Sequence, residues 1–187
     1  MKKVFFIGFN KTATTAFHKL FLESGYKSWH NKRKKIKLVE TLYYNLQNNL
    51  PVLFGIDDGV SYLDLGGVYN NQLIEGCAFY KEFYKEYPNS YFVLQTRSKE
   101  KWINSRYKWN NLPQRHAEIL GISVDEVIHR WKEEWDVHHN AVRNFFKNRP
   151  NFIEYNIEKD NIEKLIHFLH KDFVLNKECW KKRNVTK

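Results

Sequence analysis

FIGFNKTATTAF, residues 6–17, is the stretch on which the fold turns. An apolar run over 4–9, punctuated by Gly8, gives way to a polar segment with a single lysine, Lys11. An apolar-periodic segment follows, with Phe17, Leu20 and Phe21 on one face and Gly25 at its end. Strand, loop and helix is the pattern this predicts. The first amides of a helix have no partner inside it, and the positive end of its dipole faces outward, so such a junction suits an anion. Set against the phosphate-cradling pattern G-x-x-x-x-G-K-[ST] from Gly8, Ala13 takes the place of the second glycine. Thr14 takes the place of the lysine and Thr15 that of the hydroxyl residue. The lysine has moved three residues forward. An enzyme acting on a nucleoside triphosphate would lack its cation at the helix start. A single phosphate group can still be held by the amides, the two threonine hydroxyls and Lys11.

Outward from this junction, short apolar runs at 4–9, 52–57, 91–96 and 152–157 read as strands, and helical periodicities lie between them. Ile36, Val39, Leu42, Tyr43, Leu46 and Leu50 form one stripe, ended by Pro51. Leu73, Cys77, Tyr80, Tyr84 and Tyr87 form another, ended by Pro88. Ser123 and Glu126 have capping-box spacing ahead of a helix carrying Val127, Trp131, Trp135, His138, Val142 and Phe145. A last helix starts near Asp160. Alternating strands and helices predict an α/β fold, a single three-layer α/β/α domain over 1–187 with a mostly parallel central sheet of 4–5 strands. Ligands of such sheets bind beyond the C-terminal strand ends, where Lys11 lies.

At 187 residues with 42% hydrophobic content, the chain has the material for one sizeable core. A formal net charge of +10 calls for an anionic partner without choosing among them. Cys77 and Cys179 read as free thiols, the six-residue apolar start is too short for a secretion signal, and no run approaches a membrane span. A cytoplasmic protein is expected. The eight histidines show no metal-ligand spacing, and no nucleic-acid-binding signature is present. The run Lys32-Arg33-Lys34-Lys35 reads as a solvated loop or an electropositive rim.

YFVLQTRSKEKWINSRYKW, residues 91–109, holds the second motif. Arg97 stands at the tip of the third strand and Ser105 follows eight residues later on the next helix. A guanidinium fork and a hydroxyl donor are suited to a phosphate. Together, Lys11-Thr12-Ala13-Thr14-Thr15 and the Arg97–Ser105 pair resemble the sulfotransferase family, whose first loop reads K-[ST]-G-T-[TS]. Ala13 departs from the family's glycine. The resemblance implies a P-loop-like fold and 3′-phosphoadenosine 5′-phosphosulfate (PAPS) as donor, leaving 3′-phosphoadenosine 5′-phosphate (PAP), with no metal. Asn10, Lys11, Thr12, Ala13, Thr14 and Thr15 would then hold the 5′-phosphosulfate, and Arg97 with Ser105 the 3′-phosphate. FVLNK (173–177) is similar to the family's F-P-x-x-N-K segment, with Val174 in place of proline. Lys181, Lys182 and Arg183 would supply a basic segment near the nucleotide.

The family's chemistry needs a base at the end of the second strand, and the resemblance points to the carboxylates of VLFGIDDGVSYLD (52–64). Asp58 is preferred because it leaves the expected strand. Asp57 is the alternative, since adjacent strand residues face opposite ways, and Asp64 is third. Lys11 would neutralise the leaving oxygen. The acceptor, a hydroxyl or amine compound and by its aromatics a candidate carbohydrate, would lie near Tyr107, Trp109, Trp131 and Trp135. Alternatives are a kinase with a degenerate loop, a basic nucleic-acid-binding module, or a protein that binds PAP without turnover.

Overall fold

Residues 2–181 are described by the computed structural model. In chain order the elements are β1 (Val4–Phe6), α1 (Thr14–Glu23), β2 (Ser28–His30), β3 (Lys32–Arg33), β4 (Ile36–Lys37), α2 (Leu38–Gln47), β5 (Ser61–Leu63), β6 (Gly66–Tyr69) and β7 (Gln72–Glu75). Then come α3 (Tyr80–Glu86), β8 (Tyr91–Thr96), α4 (Lys99–Tyr107), α5 (Leu112–Leu120), α6 (Val124–Phe146), β9 (Phe152–Asn156) and α7 (Ile162–Leu169).

Five strands form one parallel sheet in the order β2-β5-β1-β8-β9. Val4 pairs with Ser61 on one side and Tyr91 on the other, so β1 is central. Every residue of β1, β5 and β8 is buried, as strands covered on both faces require. Alternation splits their side chains between two cores. Phe5, Tyr62, Phe92 and Leu94 pack with α2, α3 and the C-terminal half of α6. Phe6, Leu63, Val93 and Tyr155 pack with α1 and α7. The result is helix, sheet, helix in three layers. At the C-terminal edge of the sheet a third cluster, built on Phe9, Trp102, Trp131 and Trp135, supports α4, α5 and α6.

The Ser123–Glu126 capping box forms, both halves made, at the start of α6. Other expectations are corrected. Residues 52–57 are a run of turns rather than a strand, with Gly55 at φ 79°. Val52, Leu53 and Ile56 are apolar because they plug the first core, not because they pair in the sheet. The strand expected there is β5, nine residues on from Val52. Leu73 belongs to the antiparallel β6–β7 hairpin rather than to a helix, and Ile36 to the small β3–β4 hairpin. Cys77 is buried and Cys179 half-buried, both free. Among the described residues, no helix is long and apolar enough to cross a membrane.

Candidate active site

Gly8, two residues beyond β1, stands where nothing larger fits: a Cβ there would lie 2.1 Å from the Gln95 carbonyl oxygen of β8. The Gln95 amide exploits that approach. Gly8 N–H donates to Gln95 Oε1 at 2.9 Å and Gln95 Nε2 donates to the Gly8 carbonyl at 3.0 Å, which locks the start of the loop to the strand that carries Arg97. The loop then turns through left-handed residues, Lys11 at φ 63° and Ala13 at φ 63°, ψ 23°. Trp102 Nε1 donates to the Asn10 carbonyl at 2.9 Å, and the Thr12 hydroxyl donates to the Phe9 carbonyl. Ala13 is the N-cap of α1 and brings no side-chain acceptor, and the first turn carries no acidic residue. The free end of the dipole therefore faces the space in front of the loop.

Arg97 leaves the tip of β8 and lies against this loop. Its Nη1 donates to the Lys11 carbonyl at 3.2 Å, and its Nη2 is 3.5 Å from Glu158 Oε1. Its Nε is buried with no hydrogen-bond partner, as is Asn10 Oδ1. Glu158 also accepts from the Ser98 amide at 2.9 Å and pairs with Lys101 at 3.0 Å, fixing the entry into α4. Along α4, Lys101, Asn104, Ser105 and Lys108 fall at i, i+3, i+4 and i+7, one helical face, and all four line a cleft of about 1040 Å³. Lys11, Ala13, Thr14, Thr15 and Arg97 line the same cleft, with Trp109, Ile157 and Trp180 as its apolar walls. Ligand sites span roughly 300–1,000 Å³, so this one stands at the upper end.

Lys11 reaches into the cleft with Nζ 4.8 Å from the Trp109 ring centroid. Burial lowers its pKa, Asp64 acts in the opposite sense, and Arg97 adds to the lowering. Asp64 follows the last residue of β5, sits at φ 53° and faces the cleft with its side chain 15% exposed. Burial, reinforced by Glu75, pushes its carboxyl up to about 6, against the pull of Lys11 and Arg106. His30, at the end of β2, lies 3.8 Å from Asp64 Oδ2 and 3.1 Å from the Thr14 hydroxyl. Burial, with His18 stacked on it at 5.1 Å, brings His30 down to about 4, so near neutrality it is uncharged.

The strand correction moves the carboxylates. Asp58 precedes β5 and lies at the N-terminal edge of the sheet, bonded to Arg33 at 2.6 Å and Trp29 at 2.8 Å. Asp57 is exposed beside it, its carbonyl accepting from Lys3, which precedes β1. Neither lines the cleft; Asp64 does. The structure thus brings together Asn10, Lys11, Ala13, Thr14, Thr15, Arg97 and Ser105, with Thr12 buried beneath the loop. Lys182 and Arg183 lie outside the described residues. Trp131 and Trp135 are core, whereas Trp109 lines the cleft. His30 and Trp180 were not expected. Val60-Ser61-Tyr62-Leu63 after Gly59 is the signal that marks β5, and through it Asp64; for Trp180 there is none beyond its being aromatic. No group of three or more His, Cys, Asp or Glu positioned to hold a metal occurs among the described residues.

A family model and solved structures match the chain. The family described as Sulfotransferase domain matches residues 3–130. Among solved structures, a sulfotransferase from Alicyclobacillus acidocaldarius superposes with a TM-score of 0.52 at 12% identity, over 98% of this chain and 87% of that one. At that identity the likeness is one of fold. No curated protein matches the chain.

Proposed function

The chain belongs to the sulfotransferase family, and from that premise we propose that it moves a sulfuryl group from PAPS to the hydroxyl or amine of an acceptor. The observation that carries this reading is the meeting of the two anion-binding groups. The Arg97 guanidinium rests on the carbonyl of Lys11, and Ser105 shares their cleft. One nucleotide with phosphates at both its 3′ and 5′ positions is the ligand that such a pair is suited to bridge.

The donors fit such an anion. Arg97 Nε is a buried donor without a partner, and no side chain caps the start of α1, whose first turn carries no acidic residue. In this reading PAPS supplies an activated sulfuryl group on a phosphate leaving group. Lys11, the amides at the start of α1 and the Thr14 and Thr15 hydroxyls bind the 5′ end. Lys11, half-buried and facing the cleft, neutralises charge that develops on the leaving oxygen. Arg97 and Ser105 take the 3′-phosphate, with Glu158 releasing part of its hold on the guanidinium. Ile157 and Trp180 offer an apolar wall for the base.

Asp64 takes the role assigned to Asp58 from sequence. It stands on the far side of the cleft from Arg97, its carboxyl titrates near 6, and it is therefore a stronger base than an ordinary aspartate while still ionised at pH 7. His30, uncharged, bonds to Thr14 and borders Asp64 without neutralising it. A kinase reading is disfavoured because Thr14 occupies the place of the phosphate-binding lysine.

Calorimetric titration with PAP, followed by transfer from labelled PAPS to a panel of acceptors, tests the proposal. Lys11→Ala should lower transfer at least 100-fold, as for loss of one charge-stabilising donor. PAP binding that is absent, or turnover that survives in Lys11→Ala, refutes it.

A further inference from the structure

Glu158 is an anion inside an anion site. It stands in the turn after β9, which is closed by bonds of its own. The Glu158 amide donates to Asn156 Oδ1 at 2.9 Å, the Asp160 amide to the Asn156 carbonyl at 2.9 Å, and the Asn156 amide to Asp160 Oδ2 at 2.7 Å. The turn therefore keeps its shape whatever the Glu158 side chain does. That side chain lines the main cleft and is 21% exposed. Burial pushes its carboxyl up, but the Ser98 amide, Lys101 and Arg97 outweigh burial and hold it below its usual range, so it is charged at neutral pH.

Its partners are the kinds of donor that proteins use for phosphate oxygens. Oε1 meets Arg97 Nη2 at 3.5 Å and Lys101 Nζ at 3.0 Å, and Oε2 accepts from the Ser98 amide at the start of α4 at 2.9 Å. The guanidinium is only half engaged. Nη1 is committed to the Lys11 carbonyl at 3.2 Å. The Nε–Nη2 edge is the one on which a carboxylate or phosphate is held through two parallel bonds. Glu158 takes Nη2 alone, and the buried Nε has no hydrogen-bond partner. A carboxylate whose task was to orient Arg97 would take both donors of that edge, and the Lys11 carbonyl already fixes the guanidinium.

We propose that Glu158 is a built-in competitor of the nucleotide's 3′-phosphate: its carboxylate holds donors of Arg97 and Lys101, and the phosphate must displace it to take the Nε–Nη2 edge. The inference rests on the sulfuryl-transfer reading and adds to it a residue that sets how tightly the nucleotide is held. A phosphate and a carboxylate on one guanidinium repel each other, so nucleotide binding costs the Glu158 contacts and nucleotide release returns them. Lys101, once released, becomes a second cation for the phosphate. PAPS and PAP carry the same 3′-phosphate, so Glu158 loosens both alike. It raises the KM for the donor and hastens departure of the product, without touching the transferred group.

The test is calorimetric titration of the wild-type chain and of Glu158→Gln with PAP and with adenosine 5′-phosphate, which lacks the 3′-phosphate. Glutamine keeps the length of the side chain and an acceptor for the Ser98 amide while removing the charge. PAP is expected to bind the variant about fivefold more tightly, as for removal of one partly exposed competing ion pair. Adenosine 5′-phosphate should show no gain, whether it binds weakly or not at all. PAP affinity that is unchanged or lower in the variant overturns the inference, because a residue that orients Arg97 gives that result. An equal gain for both ligands also overturns it, because that is the effect of one negative charge less anywhere in the cleft. PAP that binds neither chain overturns the donor reading and the inference with it, whereas PAP that binds both chains alike overturns the inference alone.

Discussion

Asp64→Asn should make the protein more stable at neutral pH while removing its activity. The carboxyl titrates near 6 in the folded chain against an ordinary value of 3.8, chiefly because burial disfavours its charge. That difference corresponds to ~3 kcal/mol as an upper figure, and partial exposure and local relaxation bring the expected effect to ~1–3 kcal/mol. The sign follows from which state gives up its proton first. Below pH 3.8 both states hold the proton and there is no cost. Between 3.8 and 6 the unfolded chain releases it while the folded chain does not, so stability falls as pH rises. Above 6 the whole cost is present. Asparagine keeps the shape and, like aspartate, tolerates the left-handed backbone at φ 53°, so the substitution adds little strain of its own. His30, titrating near 4, carries no charge through most of this window and offers no compensation. Urea unfolding of ligand-free protein from pH 4 to pH 8 is the assay. The variant should gain on the wild type progressively between pH 4 and 7, with the two alike at pH 4. The same carboxyl, acting as base, should make the wild-type transfer rate rise through pH 6 and level off. A variant equally or less stable at pH 8, or a gap already present at pH 4, refutes the claim that a buried ionised carboxylate stands at this strand end.

Ala13→Gly should stabilise the protein, since alanine at φ 63° costs about 1–2 kcal/mol and the extra freedom of glycine in the unfolded chain returns about 0.4–1 of it. A melting temperature about 2–4 °C higher is expected, and a lower one would show that the Ala13 methyl has a packing role. Arg97→Ala should weaken PAP binding by about 1–3 kcal/mol, roughly 5- to 150-fold by calorimetry, and unchanged affinity would remove Arg97 from the nucleotide site. Asp58→Asn should leave the transfer rate unaltered because Asp58 is bonded to Arg33 and Trp29 away from the cleft; a large rate loss would return the base to that residue.

The parts legible in the sequence are those fixed by neighbours in the chain. Gly8, the polar loop and the 3.6-residue stripe of α1 announce a strand–loop–helix junction, and Ser123 with Glu126 announces the start of α6. Arg97 and Ser105 could be placed because both belong to one strand–helix unit, and eight residues carry Ser105 onto the face of α4 that looks back at the strand tip. What failed was decided by distant partners. Val52-Leu53-Phe54 is more apolar than Ser61-Tyr62-Leu63, yet the latter is the strand, because β1 and β2 flank it in register. The former is held in turns by Gly55 at φ 79°. Placing a strand at 52–57 rather than at Ser61–Leu63 pointed to carboxylates at the N-terminal edge of the sheet, whereas the one that follows β5 and lines the cleft is Asp64. The clamp that the Trp102 and Trp131 rings close on Arg106 was half visible: Trp102 stands at i, i+4 to Arg106 on α4, but the second ring, Trp131 on α6, leaves no mark in local periodicity.

Backbone strain also separates the site from the rest of the chain. Among the described residues, most non-glycine residues with positive φ are asparagines, Asn31, Asn49, Asn70, Asn71, Asn110, Asn111 and Asn148, the residue type that most readily adopts this conformation. Those that are not asparagine are Lys11, Ala13, Lys34 and Asp64, and Lys34 sits at the tip of an exposed hairpin. The remaining three line one cleft. Turn geometry alone would be met as well by asparagine or glycine at these places. At Lys11 a lysine stands in a conformation that it resists and that asparagine or glycine would meet more easily, whereas aspartate tolerates it at Asp64. Lys11 and Asp64 influence each other's titration across that cleft. On the proposed reading, a cation and a carboxylate held apart across the cleft, rather than joined in an ion pair, suit in-line transfer between a leaving group and an acceptor hydroxyl.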